Sequence, residues 1–124
     1  MQPDIEIYLL SCPTPNIEAW LTDLFGPLDA VPSTETGIKF IAHYQGQHIP
    51  ITILEQAAGK RFTSVWFDSE HTPWANDIEC AEAAFASLGC EVRCNMASWE
   101  EDEELDPDLW WRINKNGAGP YIWR

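Results

Sequence analysis

Two stretches of the chain repeat one pattern of apolar and polar positions. In the first, Ile5, Ile7 and Leu9 alternate with Glu6, Tyr8 and Leu10, which predicts a strand over residues 3–11. Thr14 and Pro15 follow, a capping residue and a proline suited to the first helical position. Ile17, Trp20 or Leu21, and Leu24 then recur at helical spacing and predict a helix over 15–25, stopped by Gly26 and Pro27. In the second stretch, Phe62 to Phe67 is aromatic and β-branched, as strands tend to be. Thr72 and Pro73 again offer a helix start. Ile78, Ala81, Phe85 and Leu88 share one helical face, Gly89 offers the same stop, and a further β-like run leads to Cys94. Strand, Thr-Pro start, helix and Gly stop recur together, and we read them as an internal duplication. The plainer account is that any two strand–helix units share such punctuation.

The remaining segments fill out each half. Asp29 to Pro32 predicts a short strand that Pro32 confines to an edge or a break. GIKFIAHYQ and HIPITILEQ predict a hairpin about Gly46, with Pro50 marking an edge position or an irregularity. Ala57 to Lys60 form a short connection. Residues 97–108, ASWEEDEELDPD, predict an exposed acidic loop in which Pro107 forbids a long helix, and Glu100 to Glu104 are expected to be solvated and dispensable for folding. LWWRIN and GPYIWR predict two closing strands, with Asn116-Gly117 as a hairpin signal. The expected order is strand, helix and three strands, twice over, in a single α+β domain over residues 1–124, module one about 1–59 and module two about 60–124. The two halves would be related by a pseudo-twofold. The alternative is a ferredoxin-like βαββαβ domain with a C-terminal extension.

Composition adds exclusions. At 124 residues the chain is long enough for one domain with a real core. No apolar run is long enough for a membrane span, and the acidic start MQPDIEIY lacks the basic region of a signal peptide, so a cytoplasmic location is the expectation. A formal charge of −13 argues against nucleic acid and against an anionic membrane surface as partners. It suits a solvated acidic surface, or an acidic protein that occupies a basic partner. Cys12, Cys80, Cys90 and Cys94 are expected to be free thiols rather than a zinc set, because Cys90 and Cys94 are four apart on one strand.

Other residues carry candidate chemistry. His43 and His48 flank the Gly46 hairpin and could approach each other, which without a third ligand reads as surface. Asp68, Ser69, Glu70 and His71 gather titratable groups before a helix, but adjacency in sequence is not a triad. Seven tryptophans are many for this length, and Trp110 and Trp111, being adjacent on a strand, must face opposite sides of a sheet. One can enter the core. The other is left for an interface, a ligand or a covering loop.

The order of elements, the middle ITILEQAAGKRFTSVWFDS with its following helix ending SLGCEV, and the tail WWRINKNGAGPYIWR resemble the vicinal-oxygen-chelate superfamily, the glyoxalase and bleomycin-resistance group. The resemblance implies two βαβββ modules in a glyoxalase-like fold. It also implies a metal held by His, Gln or Glu on the first and last strands of each module. This chain offers Glu55 and Glu6 at such places but no matching His. No metal and no cofactor are therefore expected, and a non-enzymatic module that binds a small molecule or a protein partner is favoured over an isomerase, lyase or dioxygenase. The expected ligand-binding residues are Glu55, Trp66, Trp110, Trp111 and Tyr121 on an aromatic-lined sheet. A homodimer is expected, with Trp110, Trp111 or Trp123 in its interface. The competing account is a monomer in which loop 97–107 covers the outer tryptophan.

Overall fold

The computed structural model describes residues 4–34, 37–95 and 109–123. The strands are β1 (Ile5–Leu10), β2 (Asp29–Thr34), β3 (Gly37–Tyr44), β4 (Gln47–Leu54), β5 (Phe62–Phe67), β6 (Val92–Asn95), β7 (Leu109–Asn114) and β8 (Gly117–Ile122). The helices are α1 (Thr14–Phe25) and α2 (Asp77–Leu88). All eight strands join one antiparallel sheet in the order β2-β3-β4-β5-β1-β6-β7-β8. The chain order is thus strand, helix and three strands, repeated. The lateral order does not repeat. β4, last in its half, lies beside β5, whereas its counterpart β8 forms an edge.

The interior explains that asymmetry. β1 lies between β5 and β6, and β5 lies between β4 and β1. The connection carrying α2 therefore passes over β1, and the one carrying α1, which leads from β1 to β2, passes over β5, β4 and β3. These two interleaved crossovers form a βαββαβ unit in β1, α1, β4, β5, α2 and β6. β2 and β3 extend it beyond β4, and the hairpin β7–β8 extends it beyond β6.

Period-two alternation builds the core. Ile5, Ile7 and Leu9 on β1 meet Ile49, Ile51 and Ile53 of β4, and Val65 and Phe67 of β5, on one face. The helices lay Ile17, Trp20 and Leu21, and Cys80, Ala81 and Ala84, against that face. Burying each large aliphatic side chain contributes about 1.5–3 kcal/mol, and this is what holds the helices to the sheet.

Several local expectations are corrected. α2 begins at Asp77, not at Thr72 or Pro73. The Thr72 hydroxyl donates to the Trp74 carbonyl (3.3 Å). Trp74 packs against Trp20, Phe25 and Phe67 at centroid distances of 6.0, 6.2 and 5.1 Å, holding 72–75 in an irregular path. Asn76 is the actual cap, its side chain accepting from the Glu79 N–H (3.0 Å) while Glu79 Oε1 accepts from the Ala75 N–H (3.2 Å). Replacing Asn76 by Ala should cost about 1 kcal/mol, read as a fall in the denaturant midpoint at unchanged slope. Thr14 is likewise inside its helix, behind Pro13. Pro32 lies within β2, an edge strand where a missing N–H is tolerated. Pro50, by contrast, does not put β4 at an edge; the ladder to β5 begins one residue later, at Ile51. The acidic segment 97–108, including Glu100 to Glu104, lies outside the described residues.

Candidate functional site

The helices cover one face of the sheet. Among the described residues no helix covers the other. Cross-strand pairing brings Trp66 beside Glu6, Tyr8 beside Arg93, Arg93 beside Arg112, and Trp110 beside Tyr121 on that open face. Tyr8, Trp110 and Trp123 converge there. Their centroids are 5.4 Å (Tyr8–Trp110), 5.8 Å (Tyr8–Trp123) and 4.9 Å (Trp110–Trp123) apart, all edge to face. With Ala58 they line a hollow of about 310 Å³, of the size that takes a small ring.

Arg93 braces these rings. Its guanidinium lies 4.6 Å from the ring centres of Tyr121 and Trp123 and 4.8 Å from that of Phe62. Two of its nitrogens donate to Glu91 Oε2 at 2.9 and 2.7 Å, and Glu91 Oε1 accepts from Asn114 (3.0 Å). Burial pushes the Glu91 carboxyl up, but the hydrogen bonds from Asn114 and Arg93 outweigh it and hold it below the ordinary range. Arg112 stacks on the Tyr121 ring at 4.1 Å.

An acid on the same strand interacts with Tyr8. Burial raises the pKa of Glu6, a hydrogen bond with Tyr8 partly offsets this, and the charge of Asp4 adds to the rise. Burial and the Glu6 carboxylate raise Tyr8 in turn. Trp66 Nε1 donates to Asp4 Oδ2 (2.8 Å), so this ring is pinned to the first described residue.

Of the expected site residues, Trp66, Trp110 and Tyr121 share this face. Trp111 does not. It pairs with Cys94 on the helix side and packs against the core, as the opposed faces of adjacent residues require. Glu55 lies beyond the end of β4. Its Oε2 accepts from the Thr14 hydroxyl at 2.5 Å, tying the start of α1 to the sheet. Sequence reading missed Tyr8, Phe62 and Arg93. The alternation of β1 places Tyr8 opposite the core residues, and nothing in that alternation shows which rings meet it on the open face.

The other clusters resolve differently. The His43 and His48 rings meet at 4.8 Å, and His43 Nε2 lies 2.6 Å from Asp29 Oδ2, about half exposed. Ser69 Oγ accepts from the His71 N–H (3.0 Å), and the His71 ring lies 3.9 Å from Glu70. Among the described residues no group of three or more His, Cys, Asp or Glu side chains is placed to hold a metal ion. No described helix is long and apolar enough to cross a membrane. No family model, curated protein or solved structure matches the chain.

Proposed function

We propose that the protein is a non-enzymatic binder of a small planar ligand, taken in the hollow that Tyr8, Trp110 and Trp123 line. The observation that carries this is the convergence of three edge-to-face rings on one open hollow of about 310 Å³, stiffened from behind by Arg93. Rings already fixed by their neighbours lose little freedom when a ligand enters. Glu6 beside Tyr8 and the chain's net charge favour a neutral or cationic ligand over an anion. Trp110 and Trp123 are half-buried against each other and Tyr121 under Arg93 and Arg112, which reduces the apolar surface left to drive a homodimer.

On the fold, the interleaved crossovers support a ferredoxin-like core with a β-hairpin added at each side. The glyoxalase-like reading rests on the repeated element order alone, since the lateral order differs between the halves.

The test uses three probes that share one ring and differ in charge: benzyltrimethylammonium, benzyl alcohol and benzoate. Calorimetric titration should give a Kd on the order of 0.1–1 mM for the cation. Benzyl alcohol should bind up to about ten-fold more weakly and benzoate weaker still. Trp110→Ala should abolish binding of all three. Equal affinity for all three probes, or none, would reject the proposed site.

A further inference from the structure

We propose that Cys12 and Cys90 form a peroxide-reactive dithiol, in which Cys12 is oxidised by a small hydroperoxide and Cys90 closes the product to a disulfide. The site is separate from the aromatic hollow. β1 and β6 pair at Leu9 and Val92, and the Leu10 N–H continues the ladder to the Glu91 carbonyl at 3.0 Å. The turn before α1 thereby runs alongside the turn after α2, which sets the Cys12 and Cys90 side chains next to each other.

The two thiols share a proton unequally. The hydrogen bond with Cys90 lowers the Cys12 pKa against the effect of burial, while Cys90 is raised by the same bond and by burial. Of the pair, Cys12 is thus the more readily ionised and Cys90 the one that holds its proton. Cys12 also lines a cavity of about 350 Å³ with Ser11, Glu55, Lys60 and Arg61, which gives a small oxidant access. Ser11 bends the chain there with a φ of 52°, its N–H bonded to the Arg61 carbonyl at 2.6 Å. Glu55, Lys60 and Arg61 face Cys12 across the cavity, and Glu91 adjoins Cys90. Cys80 and Cys94 form the internal contrast. Both are buried in the core and pushed well up by that burial and by Asp77, so they remain inert thiols.

In the first step the Cys12 thiolate attacks an oxygen of the hydroperoxide ROOH. The S–O bond forms, the O–O bond breaks, and the alkoxide leaves and takes a proton from solvent as ROH. In the second step the Cys90 sulfur attacks the Cys12 sulfur as its own proton is lost. The S–S bond forms and hydroxide leaves with that proton as water. Two electrons pass from the two thiols to the peroxide, and a dithiol reductant reverses the change.

The experiment treats the full chain with one equivalent of tert-butyl hydroperoxide at pH 7, followed by thiol counting and peptide mapping. The wild type should lose two of its four thiols and yield a Cys12–Cys90 linked peptide, roughly ten-fold faster than glutathione is oxidised in the same buffer. Cys90→Ser should instead trap a sulfenic acid on Cys12 that dimedone labels. Cys12→Ser should show no label at Cys90. Retention of four thiols, a linkage through Cys80 or Cys94, or a rate equal to that of glutathione would overturn the proposal. If a serine variant fails to fold by circular dichroism, the wild-type peptide map decides alone.

Discussion

Replacing Asp77 by Asn should stabilise the protein at pH 8 by roughly 2–4 kcal/mol. Asp77 opens α2 and is only 4% exposed. One oxygen lies 3.5 Å from the Glu6 N–H, and the other has no hydrogen-bond partner among the described residues. Burial raises its pKa from 3.8 to about 7, the Glu6 N–H opposes this, and the charges of Asp4 and Glu6 add to the rise. The folded state therefore holds a proton that the unfolded chain has already released, and stability falls as pH climbs from about 4 to about 7. The amide keeps the hydrogen bond to Glu6 and removes the ionisation. Urea unfolding at pH 5 and pH 8 reads the effect. The variant should decline less than the wild type, keeping the part that comes from Glu6, whose pKa burial also raises. A wild type equally stable at both values would show that Asp77 is ionised at little cost in the fold.

Arg93→Ala should have the opposite sign, costing about 2–4 kcal/mol in the same assay. The Arg93 and Glu91 side chains are 11% and 16% exposed, so truncation leaves a shielded carboxylate whose strongest partner is gone. It also removes the flat group packed against Phe62, Tyr121 and Trp123. Arg93→Lys should not rescue, because an ammonium cannot lie flat against several rings and bond a carboxylate with two nitrogens at once. Glu91 supplies a pH signature distinct from that of Asp77. Its folded pKa is depressed, so its contribution is present above the unfolded value near 4.5 and lost as pH falls through the folded one. That acid-side loss should shrink in Arg93→Ala. A cost under about 1 kcal/mol would place the pair with ordinary surface ion pairs.

These two residues mark where reading the chain alone runs out. Alternation over Ile5–Leu10 and over the Gly46 hairpin reported which side chains share a face, so the strands and the opposed faces of Trp110 and Trp111 were legible. Alternation carries no information about which strand lies beside which. The placement of β8 at an edge, and of β1 between β5 and β6, comes from long-range packing. Thr72 has the chemistry of a cap, yet burial of Trp74 overrode it and moved the start of α2 to Asp77. An aspartate in a first helical turn is normally solvated, and nothing local signals that Asp77 is buried. Arg93 looks like any surface cation until β6, β7 and β8 bring Glu91, Asn114, Tyr121 and Trp123 around it. Half of the aromatic hollow was visible in Trp110; Tyr8 was hidden in the polar side of a strand.

The measurement that bears most directly on a ligand site between Tyr8, Trp110 and Trp123 is a titration with benzyltrimethylammonium, followed by NMR at the indole N–H resonances. A site at this hollow predicts saturable shifts at Trp110 and Trp123, with Trp20, Trp74 and Trp111 on the helix side unmoved. Saturable shifts at the helix-side tryptophans alone, or no saturable shift at any indole up to 10-fold above the expected Kd of about 1 mM, would contradict it.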